Sequence, residues 1–110
     1  MAGKYDLKIS ASGKYMFNLL AGNHQIILTS ELYESKDAAE NGIASVKKNS
    51  AEDGRYERKE AKNGDPFFVL KAANGQAIGK SEMYSGAAAM ENGIESVKKN
   101  GPTAEVADNT

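Results

Sequence analysis

Four glutamates recur in register, and they are the first residues to test for chemistry. Glu31 and Glu82 form one pair, Glu40 and Glu91 another, and each pair is separated by 51 residues. Two carboxylates can act as general acid and general base when their surroundings give them different proton affinities. No nucleophile, metal shell or phosphate-binding loop accompanies these four. Glutamates on helix surfaces and strand ends are common solvated residues. The sequence therefore assigns no catalytic residue.

A second set offers polar groups on one helical face. Asn41, Ser45 and Lys48 stand at i, i+4 and i+7, and Asn92, Ser96 and Lys99 repeat them letter for letter. That spacing puts each trio on one stripe. Exposed helix faces are usually just solvated, yet here the helices agree better between copies than the strands do. As a functional surface the stripe would hold a partner or an anionic group. A recent duplication, or asparagines bonded to a neighbouring loop, is the simpler explanation. His24, the single histidine, reads as a turn residue. The glycines of AANGQAIG (72–79) read as hairpin chemistry, because no helix follows directly to receive a phosphate.

Composition narrows the chemistry further. There is no cysteine, so disulfides, thiolate metal sites and a cysteine nucleophile are excluded. One histidine cannot supply a His-rich metal site. No metal site and no cofactor is expected. The formal net charge of −1 argues against nucleic acid and anionic membranes, which need a positive field. The opening MAGKYDLKIS lacks an apolar leader core, and no stretch is apolar enough to span a bilayer. The expectation is a cytoplasmic protein of one domain.

The elements that position these residues are written twice. ENGIASVKKN (40–49) returns as ENGIESVKKN (91–100), and the same offset holds without a gap from 5–50 to 56–101. Nearly half of the aligned positions are identical, so the chain is an internal duplication. Two copies are too few for a solenoid. A closed pair with approximate two-fold symmetry is expected instead. Each copy reads as strands at 5–10, 14–20 and 25–29, or 56–61, 66–71 and 76–80, followed by a helix. Pro66, which has no N–H, should open its strand. Asn74-Gly75 suggests a tight two-residue turn. Ser35, and Ser85 or Gly86, are the expected N-caps, and the lysine pairs suit the helix ends.

Ala39, Gly42, Ile43 and Val46 fall on one helical stripe, as do Met90, Gly93, Ile94 and Val97. A mid-helix glycine costs about 1 kcal/mol relative to alanine. Gly42 and Gly93 are therefore expected to admit a close backbone, from the other helix or from the sheet. Segments 1–4 and 102–110 are polar and expected to be disordered, the alternative being a short strand at AEVAD (104–108).

Strand alternation sends Phe17, Leu19 and Ile27 towards the helices, with Phe68, Leu70 and Ile78. Met16, Leu20, Ile26 and Leu28 are left for the opposite face, with Phe67 and Val69. Six large apolar side chains on a solvent face would be unusual for a monomer. They suggest homodimerisation, a peptide or ligand groove, or burial by the sheet's own twist and strand exchange.

These motifs resemble the YegP-like family of small uncharacterised proteins. The matching residues are the FxLxAxN segments Phe17–Asn23 and Phe68–Asn74, the SExY segments 30–33 and 81–84, and the two NGIxSVKKN helices. The resemblance covers residues 5–101. It implies an α+β fold of two tandem β-β-β-α repeats sharing one antiparallel sheet, with two helices on one face and strands exchanged between repeats. It implies no activity. The functional expectation is a small non-enzymatic binding or interaction module, homodimeric through the open sheet face or bound to another protein. The alternative is weak nucleic-acid binding through the Lys48 and Lys99 helix ends.

Overall fold

Alternating apolar residues make the strands, and a 3.6-residue apolar stripe makes each helix. In the computed structural model, which describes residues 3–110, the order is β1 (Lys4–Ile9), β2 (Tyr15–Leu20), β3 (Ile26–Ser30), α1 (Lys36–Asn49), a 3₁₀ turn (Asp53–Arg55), β4 (Tyr56–Glu60), β5 (Pro66–Lys71), β6 (Ala77–Lys80), α2 (Ala87–Asn100) and β7 (Glu105–Asp108). The expected α+β class holds, and Pro66 opens its strand. Ser35 caps α1 by accepting a hydrogen bond from the Ala38 amide, and Gly86 caps α2 through its extended backbone alone.

All seven strands lie in one sheet, ordered β4-β5-β6-β3-β2-β1-β7. Each three-strand meander stays in its own half, but β7, which follows the second helix, crosses to the first half beside β1, as β4, which follows the first helix, lies in the second half beside β5. The strand exchange implied by the resemblance is thus confined to the strand after each helix. The halves join where β3 and β6 pair antiparallel, with Thr29 opposite Lys80. These two are equivalent residues, so the approximate two-fold axis passes between them. The helices cross as well: α1 packs on β2 and also on β5 and β6, and α2 packs on β5 and β3.

The C-terminal tail, expected to be disordered, adds β7, which pairs parallel with β1 through Lys4↔Glu105 to Leu7↔Asp108. Gly3 and Lys4 are ordered as well. Gly3 is buried against the Leu20 carbonyl and Asn100. The remainder of the expected N-terminal tail, residues 1 and 2, lies outside the described residues.

Turn chemistry differs from the two-residue expectation. Ala72 donates to the Gln76 carbonyl and Gly75 donates back to Ala72, which encloses a three-residue loop. Gly75 carries the left-handed backbone at φ 86°, and His24 does the same at φ 68° in a loop with identical bonds.

A bulge corrects one face assignment. Leu19 pairs with Leu28, but the next residue, Leu20, pairs with Ile26. Ile27 is the extra residue, so strict alternation fails there. Leu28 shares the helix side with Leu19 and is fully buried, and it leaves the set expected on the opposite face. It covers its own counterpart in the second copy: a Cβ on Gly79 would stand 3.2 Å from Leu28 Cγ and 2.7 Å from the Thr29 carbonyl oxygen. The same large-with-small solution recurs at the helix ends, where a Cβ on Gly101 would stand 2.7 Å from that of its counterpart Ser50.

Candidate functional sites

Each repeated glycine is the seat of a tyrosine, not of a neighbouring backbone. A Cβ on Gly42 would stand 2.8 Å from Tyr33 Cζ, and one on Gly93 would stand 2.7 Å from Tyr84 Cζ. The tyrosine rings also stack on the core. Tyr33 lies 6.3 Å from Phe17 at 9°, and Tyr84 lies 6.4 Å from Phe68 at 11°. Burial raises both phenol pKa values, and the nearby Glu31 and Glu82 carboxylates raise them further. Both hydroxyls therefore stay protonated and can donate at neutral pH.

Tyr33 forms one wall of a groove between the repeats. The polar stripe of α1 supplies Asn41 and Ser45, the segment after β3 supplies Glu31 and Tyr33, and the β5–β6 hairpin supplies Asn74 and Gln76. Ala38, Gly42, Ala72 and Ile78 give it an apolar floor, and the volume is 280 Å³. Lys48 lies outside the lining. On α2, Asn92 and Lys99 are exposed and Ser96 is half-buried.

The carboxylate pairs separate into different roles. Glu91 is held by Arg58 through two hydrogen bonds of 2.6 and 3.0 Å, which keeps its pKa below the ordinary range. Glu31 and Glu82 are exposed beside their tyrosines, and Glu40 is an exposed residue of α1. Among the described residues no cluster of three or more His, Cys, Asp or Glu could hold a metal, and no helix is long and apolar enough to cross a membrane.

The sheet face away from the helices is the second candidate. Residues paired across the strands share a face, and the pairs Lys8↔Met16, Lys4↔Leu20, Lys59↔Phe67, Glu57↔Val69, Val69↔Lys80 and Leu20↔Ile26 place all of these on this side. Met16, Leu20, Phe67 and Val69 are half-buried by their neighbours, and Ile26 is 40% exposed. Of the six expected apolar residues, five are therefore here. The lysines set between them were not anticipated. Lys71 is paired with Glu57 at 2.6 Å, whereas Lys4, Lys8 and Lys80 make no ion pair among the described residues. Asn18, opposite Asp6 and Thr29 near the middle of this face, is 6% exposed. Its carboxamide oxygen has no hydrogen-bond donor among the described residues.

Comparison with known proteins gives the same duplication in a different frame. Residues 10–57 and 61–108 each match the family model of a domain of unknown function, DUF1508. A UPF0339 protein of Bordetella pertussis is 57% identical over 110 residues, which is 100% of this chain and 98% of that protein. The solution structure of YegP of Escherichia coli, described as a protein of unknown function, is 55% identical with a TM-score of 0.94, covering 100% of this chain and 95% of that one. That of a UPF0339 protein from Shewanella oneidensis is 52% identical with a TM-score of 0.91, covering 98% and 92%.

Proposed function

The chain belongs to the YegP-like, UPF0339 family of tandem DUF1508 proteins, whose function is unknown, and from that premise we propose that it is a non-enzymatic interaction module that docks an acidic, partly apolar protein segment on its open sheet face. The carrying observation is the interleaving on that face. Met16, Leu20, Ile26, Phe67 and Val69 alternate with Lys4, Lys8, Lys59, Lys71 and Lys80, against the carboxylates Asp6, Glu57 and Glu105. Apolar groups supply contact area, and the unpaired ammonium groups select carboxylates on the partner. The charge also weighs against a second copy of this chain as occupant, because two such faces would bring lysines together.

Peptide display against the immobilised protein tests this. Wild type should enrich sequences that combine Asp or Glu with Leu or Phe, and Phe67→Asp should lose them. Enrichment without acidic residues, or retention by Phe67→Asp, defeats the reading. So does concentration-dependent dimerisation in light scattering that disappears in Phe67→Asp, which would make the occupant a second copy.

A further inference from the structure

The groove walled by Tyr33 carries an inference independent of the sheet face. Across the 46 aligned positions of the two copies, 22 are identical. Among the 11 residues that line the groove, 10 have an identical counterpart, and only Ala77, with Ile26 as its equivalent, departs. Some of these identities have structural reasons. Gly42 seats Tyr33, and Asn74 Oδ1 accepts the Gln76 amide to close its loop.

Others have none. Glu31, Asn41 and Gln76 are exposed, and their side chains make no hydrogen bond or ion pair among the described residues. Their counterparts Glu82, Asn92 and Gln25 are the same residues, also exposed. Elsewhere much of the exposed surface has drifted, as at Asp37/Ala88, Glu34/Ser85 and Ala44/Glu95, although Lys48 and Lys99 are also identical and exposed outside the groove. Folding alone gives no reason to hold these three positions fixed.

We propose that this groove binds a small polar molecule bearing a positive amino group beside hydroxyl or amide groups, and that α2 and the β2–β3 hairpin carry its symmetric partner. Glu31 is the one charged side chain in the lining, so an anion is repelled and an ammonium is attracted. Tyr33 and Ser45 offer hydroxyls, and Asn41, Asn74 and Gln76 offer carboxamides that donate and accept. The apolar floor suits the carbon skeleton of such a ligand. At 280 Å³ the groove lies just below the range of drug-sized ligand sites, about 300–1,000 Å³, which suits a molecule of monosaccharide size.

Glucosamine, glucose and glucuronate share one ring and differ in charge, so they separate the contributions. Each is titrated into isotope-labelled protein while amide resonances are followed, up to about 50 mM, well above the millimolar Kd accessible to a ligand of this size. Shifts at residues 41, 45, 74 and 76 should be largest for glucosamine, smaller for glucose and absent for glucuronate. Glu31→Gln should abolish the preference for glucosamine over glucose while leaving the spectrum folded. Failure of all three sugars to shift these resonances overturns the proposal. Tightest binding by glucuronate, or a preference untouched by Glu31→Gln, does the same. Phe67→Asp should leave the titration unchanged, so the two surfaces can fail separately.

Discussion

Tyr33 rests its phenol ring end directly on Gly42, at a distance that a methyl group would violate. Alanine at position 42 regains about 1 kcal/mol of helix propensity. Overpacking typically costs about 1–3 kcal/mol. Gly42→Ala is therefore expected to lower stability by about 1 kcal/mol in urea unfolding. In a Tyr33→Ala background the nearest obstacle is gone, although Phe17 Cε2 would still stand 3.0 Å from the new methyl, and the same substitution should cost markedly less. An equal loss in both backgrounds would mean that the tyrosine is not the close neighbour that matters.

The pairing of Leu28 with Gly79 gives a second outcome. Gly79→Ala would drive a Cβ to within 2.7 Å of the Thr29 carbonyl oxygen, a backbone atom that cannot rotate away. The expected loss is about 2–3 kcal/mol. Leu28→Ala should cost about 2–5 kcal/mol by emptying a core position. It should not rescue Gly79→Ala, because the Thr29 obstacle remains. Rescue in the double variant would contradict the geometry.

His24 is the one non-glycine residue with positive φ among residues 3–110. Left-handed backbone costs an ordinary residue about 1–2 kcal/mol, and glycine's extra unfolded-state freedom costs about 0.5–1 kcal/mol. His24→Gly should therefore raise stability by about 0.5 kcal/mol, read as a higher urea midpoint. A lower midpoint would show that the imidazole makes a contact beyond its backbone role.

Acid should weaken the fold through the surface network around Arg58. Hydrogen bonds from Lys98 and Arg58 hold the Asp53 carboxyl below its ordinary range, and Arg58 does the same to Glu91. A depressed folded-state pKa contributes stability above the unfolded value, about pH 4, which is lost as pH falls through the folded value. The wild-type urea midpoint should fall between about pH 5 and pH 2. Arg58→Gln should flatten that fall while lowering the midpoint at pH 7. Both effects should shrink in high salt, since these groups are exposed.

Much of this architecture is legible in the residues. The repeat offset, the Ser35 cap, Pro66 at a strand start and the Phe17, Leu19, Phe68 and Leu70 core all follow from local chemistry. The misses depend on distant partners. Glu105–Asp108 sets only Val106 and Ala107 between two carboxylates, a weak strand pattern, and it becomes β7 because β1 presents a free edge. Leu28 lands on the helix side because a bulge at Ile27 breaks the alternation. Asn41 and Ser45 were visible as a stripe. Their groove partners Asn74 and Gln76 come from the other copy, and no local pattern links them.

The unequal residues at the axis make the two halves into lock and key. If the chain were cut between α1 and β4, two copies of the first half would set Leu28 against Leu28, and two copies of the second would leave a void between glycines. Only the mixed combination seats one leucine over one glycine. Separately made fragments should thus reassemble with each other and refuse their own kind, so what began as a repetition now works as a recognition code between unlike parts.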